Sequence, residues 1–567
     1  MIPMKAKPLA SPLLFLLVTL VLTFPAVLHL DEAFIGDGGD TYQFVGFQYL
    51  AHRLTEQGTF PYLAHTDYWR YPSGVDFQNV SDGALYVLIG LSIYPFLRDP
   101  VTVHNITLLS LLFLNLWLAF VFFRLLFKPS IAIAGAVMFG ASFYTLARLG
   151  GHASLVLTSS YSFVLYSGVV LFRQEGSVRG FVLLTLSVLA VALSSLQHVL
   201  ILVGSFPVIL IVMTAFFPST AKAIILLLSR QRWRAICALF TITNIFLLFY
   251  GEKTMSVLDG SIILPIPEFI SVPFNNYLVP NDNLHTLSAV ISNDTMPWIE
   301  YSVFLGYAEI VLVIYALIRL PASRLKVALL ITSLLFLSIS LGKQDIFDWL
   351  WPYQYLFHIL PYRAIIEPAR FYPMLYIPLT LLVLMLLQEM KSKMLLLIVT
   401  MALIAERLPL EFQLSPDYGT EPFIAQVRKT DTSAVLDLPL FTGWWNGQLY
   451  DIYSVYYQRP IVNGYFHWSG DTAQTRSFLN QMTSYDCSPN IRQRSYSARL
   501  SDMVSSNDRA LQNMRVHNIR TVVLHKDLLG YQECDPARSH ILALLNDTKS
   551  WDKVYEDSSK LVLWLKR

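Results

Sequence analysis

The strongest constraint on this chain is the recurrence of uninterrupted apolar runs about twenty residues long, the length an α-helix needs to cross a bilayer's hydrocarbon. They begin near Ser11, His104, Ser130, Ala153, Gly180, His198, Ala235, Tyr301, Leu325, Phe371 and Met394, which predicts about eleven spans. The run from Gly180 to Pro218 is too long for one helix and divides at "SSLQHV". The stretch "ALYVLIGLSIYPF" from Ala84 is too short to span and reads as an interfacial or re-entrant helix. Composition agrees: of 567 residues 54% are hydrophobic and 14% charged, where soluble domains carry about 25% charged residues. The first run, "SPLLFLLVTLVLTFPAVLHL", has no small-residue cleavage site after it and reads as a retained anchor. The predicted fold class is mainly α: a polytopic transmembrane helical domain over 1–410, then a C-terminal soluble α/β domain over 411–567.

Charge places the connections. With Lys5 and Lys7 inside, alternate connections carry Arg124 and Lys128, Arg173 and Arg179, the Lys222–Arg234 group, Arg319 to Lys326, and Lys391 with Lys393. All of them then face one side, as the positive-inside rule requires of a cytoplasmic N-terminus. The opposite, extracytoplasmic side receives the long first loop (31–103), the "ARLGGH" turn, the loops Gly251–Trp298 and Gly342–Arg370, and everything after Leu410. That last part alternates strand-like runs ("AVLDLPL", "TVVLHK", "LVLWL") with polar helical segments. Cys487 and Cys534 lie in it, either as a disulfide in an oxidising compartment or as two free thiols.

Several function classes drop out. A net charge of +2 with no Lys/Arg-rich run gives nucleic acid nothing to bind. Three cysteines without a CxxC or Cys/His cluster support no zinc or redox motif. Neither a GxGxxG-plus-strand unit nor a P-loop is present for a soluble nucleotide. The N-x-S/T triplets at Asn79, Asn105, Asn293 and Asn546 are a pattern common by chance and say nothing about the host.

The first outside loop opens with "GDGGDTYQF". Asp40 and Gln43 have capping-box spacing, and Phe44, Phe47, Ala51 and Leu54 share one face until Gly58. This predicts a short amphipathic helix resting on the membrane surface, with Asp40 either its cap or a carboxylate placed for chemistry. Asp37 stands three residues upstream, and Gly38-Gly39 would let a ligand approach the backbone. Further along, "YWRYPSGVDF" supplies Trp69, Arg70, Tyr71 and Asp76, a set suited either to a sugar face or to an interfacial aromatic belt. Glu309 and His198 lie in or near spans, where ionisable groups are functional suspects.

Taken in order, "GDGGDTYQF", "GGHASL", "NNYLVP", "YRAIIEPARFYPML", "IVNGY" and "TVVLHK" resemble the GT-C superfamily, integral-membrane glycosyltransferases that use polyprenyl-phosphate-linked sugars. The likeness extends over most of the chain and is nearest to prokaryotic members with a GDxYQF-type loop and a PARF-type segment. One departure is Ile366-Glu367, where such relatives often carry an additional arginine before PAR. The resemblance implies transfer of a sugar from a polyprenyl-phosphate donor to a glycan, lipid or protein acceptor on the outer face. It makes Asp40 the candidate base, and Asp37 either a ligand of a divalent metal (Mg or Mn) or a second carboxylate that raises its partner's pKa. Gln43, Arg70, His152, Asn276, Tyr277, Arg363 and Arg370 become candidate substrate contacts. For the two arginines the alternative is snorkelling to the interface, and for His152 a structural role. The rival readings are a transporter of lipid-linked saccharide, which would concentrate charge inside spans, and a non-catalytic protein of envelope-polymer assembly.

Overall fold

The computed structural model describes residues 10–258, 270–280, 299–344, 351–359, 362, 365, 367–409, 412–430, 433–440, 447–462, 507–530, 534–546 and 549–566. Among these, five helices are long and apolar enough to cross a membrane: Pro100–Leu126, Ala153–Arg173, Leu196–Phe216, Arg232–Glu252 and Pro368–Glu389. Helices satisfy their own backbone hydrogen bonds, which hydrocarbon cannot do for them. The lengths and compositions are those of a multi-pass membrane protein. Shorter apolar helices accompany them at Ser11–Leu22, Ala84–Ile93, Pro129–Gly140 and Val178–Ser194.

These helices differ in what covers them. The Pro368–Glu389 segment has 78% of its apolar window buried and packs against Arg324–Ser340, Pro129–Gly140 and Tyr307–Arg319. Arg232–Glu252 has only 11% buried, and leaves Trp233, Leu239 and Phe240 uncovered. Apolar surface of that extent needs lipid rather than water against it. Inside the bundle, Arg407 and Glu309 are both buried and ion-paired. Arg407 also donates from Nε to the Ala141 carbonyl at 2.8 Å, while Glu406 accepts from the first backbone N–H groups of the Tyr307–Arg319 helix. The partner of Glu309 is thus ninety-eight residues away, out of reach of any sequence pattern.

The first loop is tied down from two directions. Ala33–Ile35 pairs antiparallel with Leu414–Pro416, so the chain after residue 411 is stitched to the loop that follows the first helix. From the Pro100–Leu126 helix, Asn105 accepts from the Ile35 N–H at 2.8 Å and donates to the Ala33 and Leu30 carbonyls. Asn105 is fully buried, which removes it as a glycan acceptor.

The loop helix, Asp40–Glu56, departs from expectation in two respects. Its N-cap is Gly39 and Asp40 is its first residue, so the expected Asp40–Gln43 capping box does not form. Nor does the helix bury a single face. Beyond the predicted Phe44, Phe47, Ala51 and Leu54, it also buries Tyr42, Val45 and Leu50, because helix Gly447–Tyr457 lies on one side and Ala84–Ile93 and Pro100–Leu126 on others.

Near the end of the chain a four-stranded sheet runs in the order Ala434–Leu438, Ile519–His525, Lys560–Leu565, Trp551–Glu556. The first pair is parallel and the other two antiparallel. Helices Pro422–Lys429, Asn507–Val516 and Asp535–Leu545 accompany it. Cys534 is buried and disulfide-bonded; Cys487 lies outside the described residues.

Arg407→Met would strand the Glu309 carboxylate in an apolar interior. The expected loss is about 3–5 kcal/mol, read as a fall in melting temperature of the detergent-solubilised protein. Adding Glu309→Gln should recover most of it; a double variant no better than the single one would deny the pair.

Candidate active site

Glycine shapes the entry to the loop helix. Gly36 has φ +140° and a Cβ there would fall 1.9 Å from Thr41 Oγ1; Gly38 has φ +79°. The backbone so bent lets the Asp37 N–H reach the Gly150 carbonyl at 2.8 Å, while Asp37 Oδ1 accepts from the Gly39 N–H at 2.9 Å. On the facing turn a Cβ at Gly151 would sit 3.2 Å from both Asp37 oxygens. "GDGGD" and "LGGH" therefore lie against each other, and their glycines are what permits the approach.

That contact brings His152 to Asp40. Its Nδ1 lies 3.4 Å from Asp40 Oδ2, and its Nε2 3.4 Å from Glu300 Oε1. Glu300, in the turn Ile299–Tyr301, is the buried hub of the cluster. It accepts from Arg148 Nη2 at 2.9 Å and from Arg370 Nη2 at 2.6 Å. Arg370 also binds Gln197 and pairs with Glu367 at 3.1 Å. Asp40 Oδ1 accepts from the amide of Gln448, on helix Gly447–Tyr457.

The electrostatics follow from this order. Burial and the neighbouring Asp37 charge push the Asp40 carboxyl up to about 7, against the pull of the Gln448 hydrogen bond and of Arg370. Burial likewise raises Asp37. For Glu300 burial acts upward too, but Arg148, Arg370 and then His152 outweigh it and hold the carboxyl below its ordinary range. His152 is lowered to about 3, by burial first, with Arg148 and Arg370 adding to it against the upward pull of Glu300. At neutral pH the site thus holds a fixed anion at Glu300, a neutral imidazole, and a carboxyl at Asp40 close to its midpoint.

Cationic hydrogen-bonding capacity is left over. Arg148 is fully buried, lies 4.4 Å over the Tyr144 ring, and among the described residues has no hydrogen-bond partner for Nε or Nη1. Within the same residues neither ring nitrogen of the buried His198 has one either. His198 follows Gln197, the acceptor of Arg370, and its ring packs edge-on against Tyr161. Buried donors of this kind, held in low dielectric, suit an anionic ligand.

The remaining candidates are placed as follows. Asn276 is buried beside the same turn and donates to the Tyr301 carbonyl at 3.3 Å; Tyr277 is buried and donates to Ser340 at 2.9 Å, a wall position. Arg70 has φ 55° in a turn whose next residue, Tyr71, bonds to the Ile461 carbonyl. Gln43 is half-buried in the first turn of the loop helix. Arg363 lies outside the described residues. Trp69 cannot offer a face to a sugar, since it is fully buried with its N–H on Ser454 at 2.9 Å, and Asp76 is paired with His65 at 2.8 Å. The cavity of ≈ 480 Å³ beside Arg53, His65 and Tyr68 lies at the opposite end of the loop helix from Asp40.

Sequence reasoning named Asp40, Asp37, His152 and Arg370 but missed Glu300, Arg148 and Gln448. Arg148 stood inside the quoted "ARLGGH" turn; Glu300 and Gln448 carry no local signal. A divalent metal fits poorly: among the described residues no group of three or more His, Cys, Asp or Glu side chains is gathered to hold one. Asp37, the residue expected to ligate it, has its Oδ1 engaged by backbone.

Glu300→Gln would remove the anion shared by two buried guanidinium groups. We expect a loss of about 3–5 kcal/mol, seen as a lowered melting temperature; an unchanged one would mean that the arginines find other partners.

No protein-family model matches the sequence, and no curated protein matches it. Solved structures to which the chain is similar include the arabinofuranosyltransferase AftD from Mycobacteria, at 14% identity and a TM-score of 0.48 over 98% of this chain; the chain spans 39% of AftD's length. Another is the oligosaccharyltransferase AglB from Archaeoglobus fulgidus, at 11% identity and a TM-score of 0.48, covering 96% of this chain and 72% of AglB. A third is ArnT from Cupriavidus metallidurans, at 10% identity and a TM-score of 0.43, covering 97% of both chains.

Proposed function

We propose that this protein is a GT-C-type membrane glycosyltransferase that moves a sugar from a polyprenyl-phosphate donor to a glycan, lipid or protein acceptor. The observation that carries the reading is the Asp40 carboxyl lying 3.4 Å from His152, which itself lies 3.4 Å from the Glu300 carboxylate shared by the buried Arg148 and Arg370. On this reading the bundle has about eleven spans, counting helices too short for the strict length rule. The N-terminus is cytoplasmic, and residues 411–567 form an extracytoplasmic domain folded back on the first loop.

The chemistry is a single displacement. An acceptor hydroxyl attacks the anomeric carbon as its proton passes to Asp40, and the bond from that carbon to the phosphate oxygen breaks. Its electron pair leaves with the lipid phosphate. A base with a pKa near ambient pH takes a proton most effectively. Arg148, through Nε and Nη1, and His198 would meet the growing phosphate charge, since among the described residues these buried atoms have no other partner. Arg370 is less available, since Glu300 and Glu367 already hold it. Protonated Asp40 then presents its O–H to Nδ1 of His152, whose Nε2–H is kept in place by Glu300.

Membranes carrying Asp40→Asn, incubated with radiolabelled polyprenyl-phosphate hexose, should transfer label about 10²–10⁴-fold more slowly than wild type. Because the base must be ionised, wild-type transfer should fall tenfold per unit below about pH 7 and level off above it. Full transfer by a folded Asp40→Asn protein would overturn the assignment.

A further inference from the structure

Everything that sets the Asp40 carboxyl comes from the transmembrane part of the chain or its loops, with one exception. Gln448 arrives from helix Gly447–Tyr457, 408 residues downstream, and donates its amide to Asp40 Oδ1. The side chain is fully buried, and among the described residues its Oε1 has no hydrogen-bond partner. Gly39 makes room for it: a Cβ there would stand 3.1 Å from Gln448 Oε1.

The contact is not left to the amide alone. Strand Ala33–Ile35 pairs with Leu414–Pro416; Ser415 Oγ donates to the Gly36 carbonyl at 2.6 Å, and the Gly36 N–H reaches the Gln413 carbonyl at 2.9 Å. On the far side, Tyr68 and Trp69 both donate to Ser454, on the same helix as Gln448, at 3.1 and 2.9 Å. Gln448 is therefore held between two fixed points, the condition for an aimed side chain.

We propose that Gln448 is a positioning residue for the Asp40 carboxylate, so that the part of the chain after residue 411 completes the site by occupying Oδ1 and leaving Oδ2 as the oxygen that exchanges protons. This rests on the reading of Asp40 as base. The ionisable groups that face Asp40 are Asp37 on its own loop, His152 on the Gly150 turn, Glu300 on the Ile299–Tyr301 turn and Arg370 at the Pro368 turn. Gln448 is the neutral member of this set, and its donated hydrogen bond favours the ionised carboxylate.

The test needs no sugar donor. Dicyclohexylcarbodiimide modifies protonated, dry carboxyl groups, so its attachment to the Asp40 peptide, followed by mass spectrometry from pH 5 to 9, reads the proton on that residue. The full-length protein in detergent should show labelling that falls with a midpoint near 7. Gln448→Met, which keeps the volume and loses the donor, should move the midpoint up by about one unit. Gln448→Glu should move it further, since the donor becomes a second anion. An unmoved midpoint in folded Gln448→Met overturns the proposal; should that variant not fold, an unmoved midpoint in Gln448→Glu overturns it equally. A protein that shifts as expected yet transfers no sugar would sink the transferase reading and leave this one standing. An active enzyme with an unmoved midpoint would do the reverse.

Discussion

A carboxylate can stay ionised away from water only where cations surround it, and Glu300 is where this protein meets that requirement. It is buried, and it is shared by Arg148, Arg370 and a ring nitrogen of His152. Those three partners come from two different connections of the bundle. Their convergence fixes how the "ARLGGH" turn and the Pro368 turn approach one another at the end of the helices. Removing Glu300 would leave Arg148 without its charge partner and Arg370 with Glu367 alone, so the cluster depends on its central carboxylate. The loop that carries Asp40 is then laid against a support that is already rigid.

The rigidity has a second consequence. With Arg370 engaged by Glu300, Glu367 and Gln197, the guanidinium of this cluster with donors to spare among the described residues is that of Arg148. The glutamate at position 367, a departure from the pattern of arginine before PAR, is thus bound up in a local pair. Arg148 and His198, by contrast, are among the described residues whose buried hydrogen-bonding atoms have no partner.

Much of the architecture was legible because hydrophobicity is a local property. The apolar runs, the short Ala84 helix and the alternating strands near the C-terminus could each be read from a window of residues. Asp37, Asp40, His152 and Arg370 were legible for a different reason: they sit in short motifs flanked by glycine or proline at the ends of those runs. What failed was pairing. Nothing near Asp40 says that its partner is Gln448, and nothing near Glu309 says Arg407. The local rule that did speak, the capping box, was misleading here. Gly39 takes the cap position, and the carboxylate's tertiary partners prevail over the helix end. "YWRY" misled in a similar way. An indole that looks exposed in a loop is instead the buried peg on which Ser454 and the downstream helix are hung.

The proton affinity of Asp40 follows from opposed influences none of which is large enough to win alone. Burial and Asp37 favour the acid; Gln448 and Arg370 favour the anion; the balance falls at about 7. His152 turns this balance into a choice of oxygen. Its Nε2 lies 3.4 Å from the Glu300 carboxylate and its Nδ1 3.4 Å from Asp40 Oδ2, so a hydrogen on Nε2 would turn the Nδ1 lone pair toward Asp40. That lone pair repels a carboxylate and welcomes a carboxylic acid. Gln448 on Oδ1 does the opposite, favouring charge. One oxygen is therefore held by a donor from the far part of the chain and the other adjoins the imidazole, so the two ends of this carboxyl meet opposite influences on its proton.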